Sequence, residues 1–216
     1  MFNRRNFGLA LGMATAVGLS AGALIASTQT AAADPAASVA TPAPDFTALT
    51  AAGETVTLSD FAGQTVVLEW TNHGCPFVQK HYNEAYKNMQ GLQADATSED
   101  MVWLSVISSA PGKQGHVDAE EANALTTSRG AAPSAVILDE SGDLGRLYGA
   151  KTTPHMYIID ADGLLTYAGA IDSNRSADPD DIPEATNYVT MALASMAAGE
   201  AVDPAVTAPY GCSVKY

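Results

Sequence analysis

From Asp45 onward, short apolar runs alternate with stretches of helical periodicity. TVVLEW, residues 65 to 70, is a continuous apolar run interrupted by one acid, Glu69, and predicts a buried strand. After Cys75, the residues Val78, Tyr82, Ala85, Met89 and Leu92 recur at spacings of four and three. They predict one helix ending by about Ala94, with Pro76 at its first position, where a missing N–H costs nothing. Further strands are predicted over 101–108, 135–138, 155–160 and 165–170, the last two joined by the tight turn Ala161-Asp162-Gly163. Helices are predicted over 118–129, 143–148 and 183–198, and FTALTAAGETVTLSDF ahead of them reads as a hairpin turning at Gly53. That order predicts an α/β fold, a sheet with helices on both faces.

The ends of the chain read differently. Arg4 and Arg5 precede an uncharged stretch from Phe7 to Ala33 that closes on a small-residue A-x-A, the pattern of an export signal cleaved near Ala33. NRRNFGL resembles the twin-arginine type of signal, which implies a periplasmic location and a mature protein free of the membrane. The competing reading is a membrane-anchoring helix over Gly8 to Ala26. Residues 34–44, DPAASVATPAP, have no periodicity and are expected to be a flexible leader to a single domain over 45–199. Pro204 and Pro209 break regular structure, so residues 200–216 are expected to wrap back over the domain as an extended arm carrying Cys212.

Charge narrows the partners. Removal of residues 1–33 takes away two arginines and no acid, carrying the formal charge from −14 to −16, which disfavours nucleic acid and anionic lipid surfaces. Composition leaves the oligomeric state open. The two cysteines, Cys75 and Cys212, are an even number in an oxidising compartment and could pair.

TNHGCPFVQKHY, residues 71–82, places Cys75 at the start of the first predicted helix. The unpaired N–H groups there favour thiolate over thiol, and the thiolate is the nucleophile. The alternative is a small buried hydrophobe. Glu69, six residues earlier, is expected to be buried with a raised pKa and able to exchange protons with the sulfur; a solvated Glu69 with no role is the other possibility.

APDFTALTAAGETVTLSDFAGQTVVLEWTNHGCPF and YGAKTTPHMYIIDADGLLTYAGAID resemble the two halves of the thioredoxin-like redoxin family of AhpC/TSA type. The resemblance implies a thioredoxin fold, with Cys75 at the attacking position, Glu69 at the buried-acid position and Pro154 as the cis-proline facing the cysteine. It also implies that Thr153 is free to pair with an incoming peptide, and that Asn72 and Phe77 line the substrate groove. Val78 stands where thioredoxins carry their second cysteine, so the local resolving thiol is missing. Leu68, Asn72 and Pro154 stand where peroxiredoxins carry their peroxide-activating residues, although Asn72 or Thr71 could still donate to a peroxide oxygen.

The C-terminal GCSVKY resembles a subgroup of redoxins in which a second cysteine accompanies the lone motif cysteine. That implies a Cys75–Cys212 disulfide, either a staple or a redox couple in which Cys212 resolves what Cys75 attacks. Protein thiols or disulfides, or a small peroxide, are the expected partners, and no cofactor is expected. His73, His81 and His155 could gather around Cys75 as a copper or zinc site; His81 is expected instead at the surface or in an interface, and no metal is expected.

Overall fold

The computed structural model describes residues 37–216. The expected export signal and its cleavage point near Ala33 lie outside the described residues. Strand β1 (Thr47–Leu49) pairs antiparallel with β2 (Thr55–Thr57) as a small separate hairpin. The central strands are β3 (Val66–Trp70), β4 (Val102–Ile107), β5 (Ala135–Leu138), β7 (His155–Ile159) and β8 (Leu165–Gly169). They form one mixed sheet in the order β5-β4-β3-β7-β8, parallel from β3 to β5 and antiparallel across β3-β7 and β7-β8.

Period-two alternation divides the core. Val66, Leu68 and Trp70 of β3 pack with Leu104, Ile137 and Tyr157 on one face. Val67 packs on the other with Trp103, Met156 and Ile158, and Cys75 and Val78 belong to that second cluster. Helix α1 (Pro76–His81), α2 (Asn88–Ser98), α3 (Ala119–Ser128), α4 (Asp143–Tyr148) and α5 (Tyr188–Ala197) complete the thioredoxin-like α/β fold. Among the described residues no helix is long and apolar enough to cross a membrane.

Three expectations are corrected. The helix expected from Cys75 to about Ala94 is two helices, α1 and α2, with Lys87 between them in the left-handed region at φ 48°. The Asn83 side chain accepts from the Ala85 N–H at 2.8 Å, and just before this turn the Tyr82 hydroxyl reaches Glu69; the periodicity was real, but the helix that carried it is interrupted at the turn. The last helix begins at Tyr188, because Pro179–Glu184, with Pro183 inside it, forms a 3-10 turn instead. From Ala37 onward the expected flexible leader is bound: Ala40 N–H donates to Leu165 O at 2.8 Å, Leu165 N–H to Thr41 O at 3.0 Å and Ala43 N–H to Gly163 O at 2.9 Å. Those bonds satisfy part of the open edge of β8, which an exposed strand would otherwise present to other chains.

Residues 205–207 cover more of that edge, with Ala168 N–H donating to Ala205 O at 3.0 Å and Thr207 N–H to Ala168 O at 3.2 Å. The arm then crosses to the start of α1. There β9 (Cys212–Ser213) pairs antiparallel with β6 (Thr152–Thr153), setting Cys212 opposite Thr153.

Candidate active site

The loop between β3 and α1 is shaped by its own side chains. Asn72 accepts from the Gly74 N–H at 2.9 Å through Oδ1 and donates to Gln114 O at 3.0 Å through Nδ2. Gln114 returns a bond from Nε2 to Gly74 O at 2.8 Å. Cys75 follows at the N-cap of α1 with extended backbone (φ −86°, ψ 122°) and Pro76 inside the first turn. The Thr153–Pro154 peptide bond is cis.

Cys75 is fully buried. Its thiol donates to Thr153 O at 3.2 Å. Burial alone would push this thiol up, but the Cys212 thiol and backbone and the Val78 backbone favour the thiolate. The outcome lies below the ordinary thiol value. Cys212 moves the opposite way, pushed up to about 11 by burial and by the Cys75 sulfur beside it. Two thiols 137 positions apart in sequence thus face each other as an asymmetric pair, and both are free thiols in this structure.

Glu69 is fully buried, and burial pushes its carboxyl above the usual range despite the donors around it. Its Oε2 accepts from Trp103 Nε1 at 2.9 Å, Gln93 Nε2 at 3.0 Å and Ser105 Oγ at 3.0 Å, and Oε1 accepts from the Tyr82 hydroxyl at 2.9 Å. No hydrogen bond among the described residues joins Glu69 to either cysteine. The expectation of a proton handed directly to sulfur therefore lacks a bonded path: the carboxyl oxygens are held by Tyr82, Gln93, Trp103 and Ser105.

The other sequence-derived residues divide between those the arm covers and those the loop consumes. Thr153, expected to be free for a peptide, is paired with Cys212. Phe77, expected in the groove, meets the Tyr210 ring edge-on at 5.9 Å. Asn72 spends both ends of its amide inside the loop and is not turned to a substrate. Thr71 Oγ1 has no partner and lines a small cavity of about 30 Å³ with His73 and Arg129; Cys75 is not among its walls. Neither Asn72 nor Thr71 is therefore placed to donate to a peroxide at the sulfur.

The histidines do not gather, and among the described residues no three His, Cys, Asp or Glu side chains meet at metal-binding spacing. His81, expected at the surface or in an interface, is fully buried within the chain, with Nε2 3.2 Å from the Tyr210 hydroxyl and Nδ1 2.9 Å from Asn88 Nδ2. Burial lowers its pKa to about 4, against the opposing pull of Asp172. His155 is lowered to about 3 by burial, with Lys151 adding to the effect, and lies beside Tyr157.

His81 belongs to a buried network that sequence reasoning missed. Asp172 accepts from the Tyr210 hydroxyl and is 3.3 Å from Lys80 Nζ, and Lys80 also donates to Asn174 O at 2.9 Å. A charged Lys80 and Asp172 in the interior require each other. The one available signal was Lys80-His81 in an otherwise amphipathic turn, which gave no indication that Asp172 and Tyr210 would complete it. Its effect is to fasten Tyr210, two residues before Cys212, against the back of α1.

The thioredoxin-like fold, a cis-proline beside the helix-capping cysteine and a second cysteine across from it define the class. The AhpC/TSA family model matches residues 39–168, and the chain belongs to that family. It is similar to a hypothetical protein from Sinorhizobium meliloti (21% identity, 84% of this chain and 96% of that one, TM-score 0.67). It is also similar to an uncharacterized conserved protein from Geobacillus kaustophilus (24% identity, 83% and 92%, TM-score 0.68). A protein from Chlorobium tepidum assigned as a thiol:disulfide interchange protein DsbE shares the fold at 23% identity, over 69% of this chain and 95% of that one, with a TM-score of 0.50. No curated protein matches the chain.

Proposed function

We propose that this protein is an exported thiol–disulfide oxidoreductase whose redox couple is Cys75 and Cys212, working in the periplasm after removal of residues 1–33. The observation that carries the reading is the pairing of β9 with β6, which brings Cys212 to the sulfur of Cys75 beside the cis-proline. Cys75 supplies the stabilised thiolate. Cys212 supplies the second thiol of the couple, which Val78 denies to the helix. Pro154 and Thr153 hold the strand on which the two sulfurs meet, and Glu69 fastens α1 and α2 to the sheet beneath them.

Protein thiols or disulfides are the substrates this chemistry suits, since exchange moves two electrons between dithiol pairs and needs no cofactor. Alkylation and mass spectrometry of the mature protein test the reading. After treatment with the thiol oxidant diamide, the expected product is one intramolecular Cys75–Cys212 bond, and Cys75→Ser and Cys212→Ser should each abolish oxidation of a dithiol peptide. Two freely alkylated cysteines after that treatment would refute it.

A further inference from the structure

Cys75 and Cys212 are not equally reachable. Cys75 is fully buried, whereas Cys212 lies nearer the surface and is only partly buried. What covers Cys75 is the arm. On one side Tyr210 is 5% exposed, bonded to Asp172 and His81 and set edge-on to Phe77. On the other side Val214 N–H donates to Lys151 O at 3.1 Å, Ala110 N–H to Lys215 O at 2.9 Å and the Tyr216 hydroxyl to Ala150 O at 2.9 Å. Between them Gly211, at φ 127°, lies so close to the Thr153 carbonyl that any Cβ would clash with it. A partner that sought Cys75, or the edge of Thr153, would have to break these contacts together.

Resting on the disulfide couple proposed above, we propose that the arm stays docked and that the partner's sulfur meets Cys212 first, so that the protein oxidises polypeptide dithiols through its C-terminal cysteine. In the first step a partner thiolate attacks Cys212 Sγ in the Cys75–Cys212 disulfide. The partner–Cys212 bond forms, the bond to Cys75 breaks, and the electron pair departs with Cys75 as thiolate. In the second step the partner's other thiolate attacks its own sulfur in the mixed disulfide. The partner disulfide forms, Cys212 leaves and takes up a proton, and the partner dithiol has lost the two electrons that the protein gained.

The surroundings suit this direction. The departing Cys75 sulfur is received at the start of α1 by the Val78 backbone, a group that stays in place when Cys212 is bonded to the partner. A sulfur stabilised as thiolate leaves faster, so attack at Cys212 expels the sulfur that the helix start receives. The order is the reverse of the one expected from sequence, in which Cys75 meets the partner and Cys212 resolves.

The test uses the mature protein, oxidised with diamide and freed of excess oxidant, and a peptide carrying a single cysteine. Acid quenching at short times, digestion and mass spectrometry locate the mixed disulfide. The assignment expects the peptide on Cys212 in about tenfold excess or more over Cys75. Peptide found chiefly on Cys75, with Cys212 free, overturns the assignment and leaves the redox couple standing; failure of any intramolecular disulfide to form overturns both.

A second measurement guards against migration of the peptide between the sulfurs. In the Cys212→Ser variant, Cys75 should react slowly with a small aromatic disulfide, and adding Tyr210→Ala should raise that rate by about tenfold or more as the arm lifts. An equal rate with and without Tyr210→Ala shows that the arm does not shield Cys75 and overturns the assignment.

Discussion

Replacing Glu69 with methionine, and separately with glutamine, tests whether this buried acid is a structural hub. In Glu69→Met the shape is nearly kept, but Trp103 Nε1, Ser105 Oγ and the Tyr82 hydroxyl lose their acceptor inside the core. Gln93 Nε2 still donates to the Tyr82 oxygen at 2.9 Å, so three donors and not four are orphaned. At about 1–3 kcal/mol for each unsatisfied buried donor, the loss should be about 6 kcal/mol. Glu69→Gln can keep an acceptor oxygen at the Oε2 position and should cost about 1 kcal/mol. Urea unfolding at neutral pH, read as a change in midpoint at constant slope, measures both.

The pH dependence gives a second readout. Because burial raises the folded pKa of Glu69 above its ordinary value of 4.5, the folded state holds this proton more firmly than the unfolded one. Its contribution is therefore largest below 4.5 and declines as pH rises toward the folded value. The gap between the wild type and Glu69→Gln should narrow over that rise. A methionine variant within about 1 kcal/mol of the wild type, or a gap independent of pH, would refute the hub.

Three further outcomes follow from the arm and its network. Tyr210→Phe removes the hydroxyl that Asp172 and His81 share and should destabilise by about 1–3 kcal/mol, with limited proteolysis cutting residues 200–216 earlier than in the wild type. Gly211→Ala should lift the arm from Thr153 and speed alkylation of Cys75 while leaving the sheet folded, read by alkylation rate against far-UV circular dichroism. His81, held near 4 in the fold against 6.5 unfolded, contributes stability that is complete above about 6.5 and is lost as pH falls toward 4. The loss should be about 3 kcal/mol at most, and His81→Gln should flatten that part of the profile measured by thermal unfolding.

The sheet was legible because each strand buries a face or both, and burial writes itself as apolar runs: Ala135–Leu138 and Asp143–Tyr148 fall where the pattern put them. The break at Tyr82 was not legible, since Tyr82, Ala85 and Met89 keep helical spacing on both sides of it. At the break the Tyr82 hydroxyl reaches the buried Glu69 carboxyl, a tertiary contact with no local trace. The site divides the same way. Cys75 and Pro154 stand in recognisable local settings, whereas the covering of Thr153 by Cys212 joins residues 59 apart and depends on Tyr210 finding Asp172. His81 looked like a surface residue because helical geometry alone placed it away from Cys75; the arm that buries it arrives from the far end of the chain.

The central claim is that Cys75 and Cys212 are a working couple and not a permanent staple. The most direct measurement is equilibration of the mature protein in graded glutathione or dithiothreitol buffers, with the Cys75–Cys212 bond scored by alkylation and mass spectrometry. The account predicts a single intramolecular bond with a reduction potential in the range of exchange proteins, about −120 to −270 mV. A potential below about −300 mV would make the bond a staple, and absence of the bond across the whole series would contradict the couple itself.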